Sequence, residues 1–301
     1  MLLAAVIWGF AFAAQKAAAS IPPFTISAIR SFLAVLFLIP SVMLFDKLSG
    51  NGRRFISRRG IDLKKSELIG GSVCGVILFI AINLQQFGIG DGTDAGKASF
   101  ITALYIVIVP IYYLILGKKS PLNVWISIGI AVVGFYLICI KSDFSISPSD
   151  LLVFLSAFIF AMQIVVIDKA LSFEGTDGVR LSCVQFFVTA VIALICSLVF
   201  ENKQDISLIF NHIPELLYIG ILSSGVAYTL QILGQKNTPP AVASMVLSME
   251  SVFGAIAGSL VHSEIMLAKE YIGCAVIFLA VILSQLEFKK KKSSADGSGD
   301  K

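Results

Sequence analysis

A chain of 301 residues with 57% hydrophobic and only 14% charged residues has the balance of a membrane protein, because soluble domains are nearer half apolar and about a quarter charged. Mean hydropathy is +0.90, and the longest polar stretch, Asp46 to Ser66, is too short to bury a core, so no separate soluble domain is expected. The formal net charge of +4 gives no reason to expect a nucleic-acid partner; the position of the charges is more informative than their sum.

Apolar runs and their punctuation predict ten spans, near 1–20, 24–45, 67–88, 95–116, 122–140, 150–169, 181–200, 214–234, 239–262 and 269–287. Their lengths are those of helices crossing a bilayer, about 17 to 25 residues. The first run, "MLLAAVIWGF", has no basic region before it, so Leu2 to Ala19 reads as a retained span and not a cleaved signal. The breaks carry turn chemistry: "SIPPF", "GIGDGTD", "GKKSP", "SISPSD", "FEGTDG" and "KNTPP". With the amino terminus inside, 17 of the 23 Lys and Arg fall in inner loops or the tail and 5 in outer loops, with Arg30 inside a span. Basic loops stay cytoplasmic, so both termini are expected in the cytoplasm and the protein in the cytoplasmic membrane. The tail, residues 289–301, reads as a disordered basic end.

The two halves look alike. Shifted by 145 residues, Gly75 meets Gly220, Gln86 meets Gln231, Thr93 meets Thr238, Ala98–Ser99 meets Ala243–Ser244 and Val107 meets Val252. The matches fall in register with predicted spans and loops, which marks residues 1–141 and 148–288 as two five-helix repeats. An odd number of spans per repeat gives the second copy the opposite polarity. The expected fold is therefore all-α integral membrane, ten transmembrane helices as two inverted five-helix repeats, with a site near the midplane at the repeat interface.

Glu250 lies mid-run in "VLSMESVFGAIAGSLV", with no Lys or Arg within ten residues. A carboxylate there costs roughly 2.5 to 3.5 kcal/mol on insertion scales, and such groups usually face a cavity. It would suit proton coupling or pairing with a cationic amine; the structural alternative is a carboxyl group bonded to a neighbouring helix. Arg30, in "TISAIRSFLAV", could snorkel to the interface, pair with Glu250 or bind an anionic substrate group. A further tier of polar and aromatic residues sits within spans: Trp8, Gln15, Asn83, Gln86, Thr102, Tyr105, Gln163, Gln185, Tyr228, Gln231, Ser248 and Ser251. Each alone suits interhelical bonding; together they are too polar for packing alone. Pro110 in "VIVPIYY" is positioned to kink its helix.

Other signals are weaker. Gly71/Gly75 and Gly254/Gly258 form GxxxG pairs, which suit close packing inside the bundle or, alternatively, a homodimer face. The cysteines Cys74, Cys139, Cys183, Cys196 and Cys274 all lie in apolar runs without ligand spacing, so neither a metal site nor a disulfide framework is indicated. "GIGD", Gly88 to Asp91, matches the GxGD pattern of membrane aspartyl proteases but reads as a turn, because its only plausible partner, Asp168, lies at a helix end on the opposite side. No cofactor is expected.

"AAVIWGFAFAAQKAA" followed by "TISAIRSFLAVLFLIP", and "AVASMVLSMESVFGAIAGSLVHSEIMLAKEYIGCAVIFLAVIL" near the end, resemble EamA-type permeases of the drug/metabolite transporter superfamily. Glu250, Glu264 and Gly273 occupy the places of that family's mid-helix Glu, following-turn Glu and last-helix Gly. The resemblance implies ten helices, inverted repeats, cytoplasmic ends and transport of small metabolites. The chain departs from it at Ser251, where Pro often follows the Glu, and in its first half, where Tyr105 and Lys119 stand in place of the two acids.

The leading expectation is a secondary transporter, not an enzyme, moving a small organic metabolite such as an amino acid by alternating access. Trp8, Arg30, Asn83, Gln86, Tyr105, Gln163, Gln185, Tyr228, Gln231 and Glu250 would line the route. The alternatives are an integral membrane enzyme, which would need clustered acids, histidines or metal ligands at one depth, and a non-transporting scaffold in contact with lipid.

Overall fold

The computed structural model describes residues 1–49, 55–57, 60–118, 120–139, 147–201, 206–262 and 268–285. The tail, Lys119 and Glu264 lie outside these. The elements in chain order are α1 (Leu2–Ala17), α2 (Pro23–Ser49), the small hairpin strands β1 (Ile56–Ser57) and β2 (Gly60–Ile61), α3 (Lys65–Gly90), α4 (Ala95–Ala103), α5 (Tyr105–Ile115), α6 (Leu122–Cys139), α7 (Pro148–Leu171) and α8 (Gly178–Phe200). There follow α9 (Ile206–Asn211), α10 (Ile213–Leu217), a π-helical segment (Tyr218–Ala227), α11 (Tyr228–Gln235), α12 (Pro240–Leu247), α13 (Glu250–His262) and α14 (Ala268–Gln285).

Among the described residues, seven helical stretches are long and apolar enough to cross a membrane, and Leu2–Ala17, Leu122–Leu137 and Tyr271–Ser284 are apolar but shorter. The 16 residues of α1 make a helix of about 24 Å at 1.5 Å per residue, less than the roughly 30 Å of a hydrocarbon core. Exposed Phe32, Leu36, Phe187, Leu194, Leu198 and Phe200 cover the outside of a bundle whose solvent is lipid.

Local chemistry sets the helix ends. Ser147 caps α7, its hydroxyl accepting from Asp150 N while Asp150 Oδ2 accepts from Ser147 N at 2.8 Å, with Pro148 in the first turn, the capping-box arrangement. Asp177 caps α8, accepting from Val179 N at 2.9 Å and Arg180 N at 3.0 Å. Gly92 turns the chain out of α3 at φ 123°, a conformation open to glycine. Asp91 of the GxGD stretch sits exposed in that same turn.

The packing is reciprocal. α3 packs on α7 and α8, while the π segment packs on α1 and α2. α13 lies on α1 as α5 lies on α7, and two pairs, α2 with α8 and α6 with α14, join the halves directly. Glycines let backbones meet at these seams: a Cβ on Gly9 would lie 2.7 Å from Gly254 N, and one on Gly75 would lie 2.6 Å from Gln185 O.

Three of the predicted spans are not continuous α-helices. The run at 95–116 breaks at Leu104 and that at 239–262 breaks at Ser248 and Met249, while the run at 214–234 widens into the π segment. The kink expected at Pro110 lies inside α5; the break falls more than a turn earlier.

Candidate functional site

Both broken helices loosen through the same backbone device. At the first break Leu104 N bonds Ile101 O at 3.2 Å and Val107 N bonds Leu104 O at 3.0 Å. At the second, Met249 N bonds Val246 O at 3.3 Å and Ser251 N bonds Ser248 O at 3.1 Å. These are three-residue turns in place of four-residue ones, the tightening usual at helix ends. At the second break, side-chain hydroxyls also bond backbone carbonyls: Ser248 Oγ donates to Met245 O and Ser251 Oγ to Ser248 O, each at 2.8 Å. The half-helices that restart begin with Tyr105 and Glu250. The start of a helix carries positive partial charge, which favours an acid at Glu250.

A cavity of about 40 Å³ lies where these breaks meet α1, α2, α3, α7 and the π segment. Seven of the ten residues expected at a site line it: Trp8, Arg30, Tyr105, Gln163, Tyr228, Gln231 and Glu250. Its lining has two ionisable poles, Arg30 and Glu250, together with aromatic rings. Trp8 packs edge-on to Tyr228 with ring centroids 4.7 Å apart, and Phe186 backs Tyr228 at 5.4 Å.

Arg30 forms the first pole. It is 3% exposed, so its side chain does not snorkel, and it is not paired with Glu250. Its Nε donates to Ser224 Oγ at 2.9 Å, Nη1 to Gln15 Oε1 at 3.5 Å and Nη2 to Ser223 Oγ at 3.4 Å. All three partners are neutral, so the positive charge stays uncancelled. The π segment makes this possible. Its wider turn lets Ser224 Oγ donate back to Ile219 O at 2.7 Å while accepting from Arg30, and leaves Ser223 O free to accept from Trp8 Nε1 at 3.1 Å. Such insertions are rare and concentrate at functional sites.

Glu250 forms the second pole, 4% exposed. Tyr105 faces it closely enough to interact, yet no well-formed hydrogen bond joins them: Tyr105 Oη and Glu250 Oε1 both lack a partner. Tyr228 lines the same cavity as Arg30 and Glu250. Among the described residues neither Arg30 nor Glu250 is in a salt bridge.

The other three expected residues are buried beside the cavity and not on its lining. Asn83 Oδ1 accepts from Ser27 Oγ at 2.9 Å and its amide donates to Phe79 O, which ties α2 to α3. Gln86 Nε2 donates to Gln15 O at 3.4 Å. Gln185 Oε1 accepts from Gln163 Nε2 at 3.2 Å. Gln15, Gln85, Thr102 and Ser223 line the cavity instead, with Gln85 Nε2 donating to Thr102 Oγ1 at 2.9 Å. Gln15 and Thr102 stood among the polar residues visible in the spans. Gln85 is one position from Gln86, and a shift of one residue turns a helical side chain by about 100°. Ser223 is exposed to the cavity by the π segment, which no hydrophobic period announces. No group of His, Cys, Asp and Glu able to hold a metal occurs among the described residues.

The model of the EamA-like transporter family matches the chain twice, over residues 1–140 and 147–286. The chain belongs to the EamA-like transporter family. An uncharacterized transporter of Archaeoglobus fulgidus is 30% identical over 294 residues, 95% of this chain and 84% of the relative. The uncharacterized transporter YoaV of Bacillus subtilis is 23% identical over 298 residues, 95% of this chain and 96% of its own length. A solved crystal structure superposes with a TM-score of 0.71 at 13% identity, covering 94% of each chain; that likeness concerns the fold alone. The EamA-like chain is thus a multi-pass membrane protein of a transporter family.

Proposed function

We propose that the protein is a secondary transporter carrying a small organic metabolite, an amino acid or a related compound, across the cytoplasmic membrane by alternating access. The observation that carries this reading is a basic and an acidic side chain, Arg30 and Glu250, unpaired with each other and lining one cavity at two broken helices. Intramembrane charges are costly, and a solute with both signs of charge would offset the cost at each pole while its apolar part meets Trp8 and Tyr228.

In this reading all ten helical runs span the bilayer as two inverted repeats, residues 1–141 and 148–288, with both termini cytoplasmic. The reciprocal packing supports that arrangement. The bundle ends are held by separate polar ties that would break in turn. At one end Asp150 accepts from Thr93 and Lys97, and Lys16 donates to Ile89 O and Thr93 O. At the other Arg180 Nη2 meets Asp46 Oδ1 at 2.7 Å and Tyr113 Oη donates to Asp168. A cavity of about 40 Å³ has room for a few waters, at some 10–15 Å³ each, so binding an organic solute requires the walls to part.

The test is counterflow of labelled amino acids in proteoliposomes. Uptake that is saturable and lost in both Arg30→Gln and Glu250→Gln is expected. Uptake indifferent to both variants, or cysteine labelling that puts the termini on opposite faces, would refute the reading.

A further inference from the structure

We infer that α2 is a gate hinged on α8: its first turn stays clamped by Glu201, the helix flexes at Pro40 and Ser41, and the Asp46–Arg180 pair is the latch that opens. The inference rests on the transporter reading and goes further by naming the element that moves, its pivot and the tie that releases it. The start of a helix leaves its first N–H groups without partners. In α2, Pro23 has no N–H to satisfy, and Ile26 N bonds Pro22 O at 3.0 Å. Glu201, at the end of α8, accepts from the two between them, Phe24 N at 2.6 Å and Thr25 N at 2.9 Å. Thr25 Oγ1 also donates to Glu201 Oε2 at 2.6 Å and lies 2.8 Å from Ser197 Oγ, one turn earlier on α8. Parting the two helices there would uncap α2.

The far end of α2 is held differently. Beyond Pro40, one side-chain bond from α2 to another helix occurs among the described residues: Asp46 Oδ1 accepts from Arg180 Nη2 at 2.7 Å. The other Asp46 oxygen accepts from Phe55 N, in the loop that follows α2 itself. Asp46 stands in the last turn of α2 and Arg180 in the first turn of α8, where each charge opposes its own helix dipole. Arg180 has a second acid in reach: Asp177 Oδ2 lies 3.9 Å from its Nη1, and the Asp177 side chain is 39% exposed against 12% for Asp46. The guanidinium can therefore pass from one carboxylate to the other as the latch opens. Between clamp and latch the backbone ladder of α2 is weakened twice. Pro40 lies inside the helix and has no N–H, and Ser41 Oγ donates to Phe37 O at 2.7 Å, a back-bond that bends helices.

The experiment is counterflow of labelled amino acids in proteoliposomes with reversible cross-links, each single-cysteine variant treated alike as a control. Thr25→Cys/Ser197→Cys, oxidised to a disulfide across the clamp, should leave counterflow unchanged. Asp46→Cys/Arg180→Cys, bridged by a bis-thiosulfonate reagent across the latch, should lose counterflow until reductant is added. Inhibition by the clamp disulfide, or counterflow that survives the latch bridge, overturns the inference. A second measurement needs no cross-link. Cys183, three residues on from Arg180, is 5% exposed, and Cys74 on α3 is 0% exposed. In Asp46→Asn, which weakens the latch alone, Cys183 should react about tenfold faster with a water-soluble maleimide, the scale of a lost charged hydrogen bond, while Cys74 keeps its native rate. No rise at Cys183, or an equal rise at both, overturns the inference. Absence of counterflow in the native chain removes the transporter reading, and the Cys183 reaction still decides whether the latch opens.

Discussion

The broken helices α4–α5 and α12–α13 share a backbone and differ in chemistry. Both loosen into three-residue turns, and both restart on the cavity wall, one with Tyr105 and the other with Glu250. Their anchoring also differs. α13 is seated on α1 by direct backbone approach at Gly9, whereas α5 meets α7 through side chains, Tyr112 Oη to Phe158 O and Tyr113 Oη to Asp168. The same contrast runs through the glutamines beside the cavity: Gln15 meets a charged Arg30, while Gln163 meets a neutral Gln185. Two helices broken in the same way bound the cavity, and the residues that restart them give it a direction.

Removing the charge from the second break should have the largest effect. Glu250→Gln is expected to lower substrate affinity about a hundredfold, the scale of a lost charged hydrogen bond, read by counterflow in proteoliposomes; an unchanged rate would make the two breaks chemically equivalent. Next comes the anchoring. A Cβ on Gly9 would lie 2.5 Å from Phe253 Cβ and 2.7 Å from Gly254 N, while one on Gly129 would meet nothing within 4 Å. Gly9→Ala should cost about 2 kcal/mol through overpacking, and Gly129→Ala should cost nothing or gain up to about 1 kcal/mol from helix propensity. Unfolding of the two variants in detergent separates these outcomes. For the first broken helix, Tyr113→Phe removes only the bond to Asp168 and should cost about 1.5 kcal/mol. A Tyr113→Phe loss larger than that of Gly9→Ala would reverse the order of the two anchors.

How much of this could be read beforehand follows from what apolar patterning records. Each predicted run is mostly helical over its described residues, and Arg30 and Glu250 stood out because lipid makes charge expensive. The second break did not stand out, since it involves hydroxyls of Ser248 and Ser251 bonding back to their own helix. A hydrophobic window sees those serines only as small gaps. Facing was the other loss. Gln86, Asn83 and Gln185 are buried within apolar helices, but which side of a helix looks into the cavity depends on packing and, at Ser223, on the π segment. The repeat carried Gln86 to Gln231, yet only Gln231 lines the cavity, because Gln86 turns to the α1 backbone at Gln15 O.

The smallest expected effect decides whether the neutral Gln163–Gln185 pair is a contact or only packing. Gln163 and Gln185 are 1% and 0% exposed and bond to each other, with Gln185 Nε2 left over. Truncating one partner strands the other's amide, whereas replacing both by apolar groups removes donor and acceptor together. Gln163→Leu should therefore cost about 1 kcal/mol of stability and Gln163→Leu/Gln185→Leu less than that single change, with counterflow retained in the double variant. Arg30 at the opposite pole has no such neutral escape, because its guanidinium keeps its charge whatever its partners do. A double variant that is stable yet fails to transport would show that the solute reaches Gln163 as well as Arg30 and Glu250.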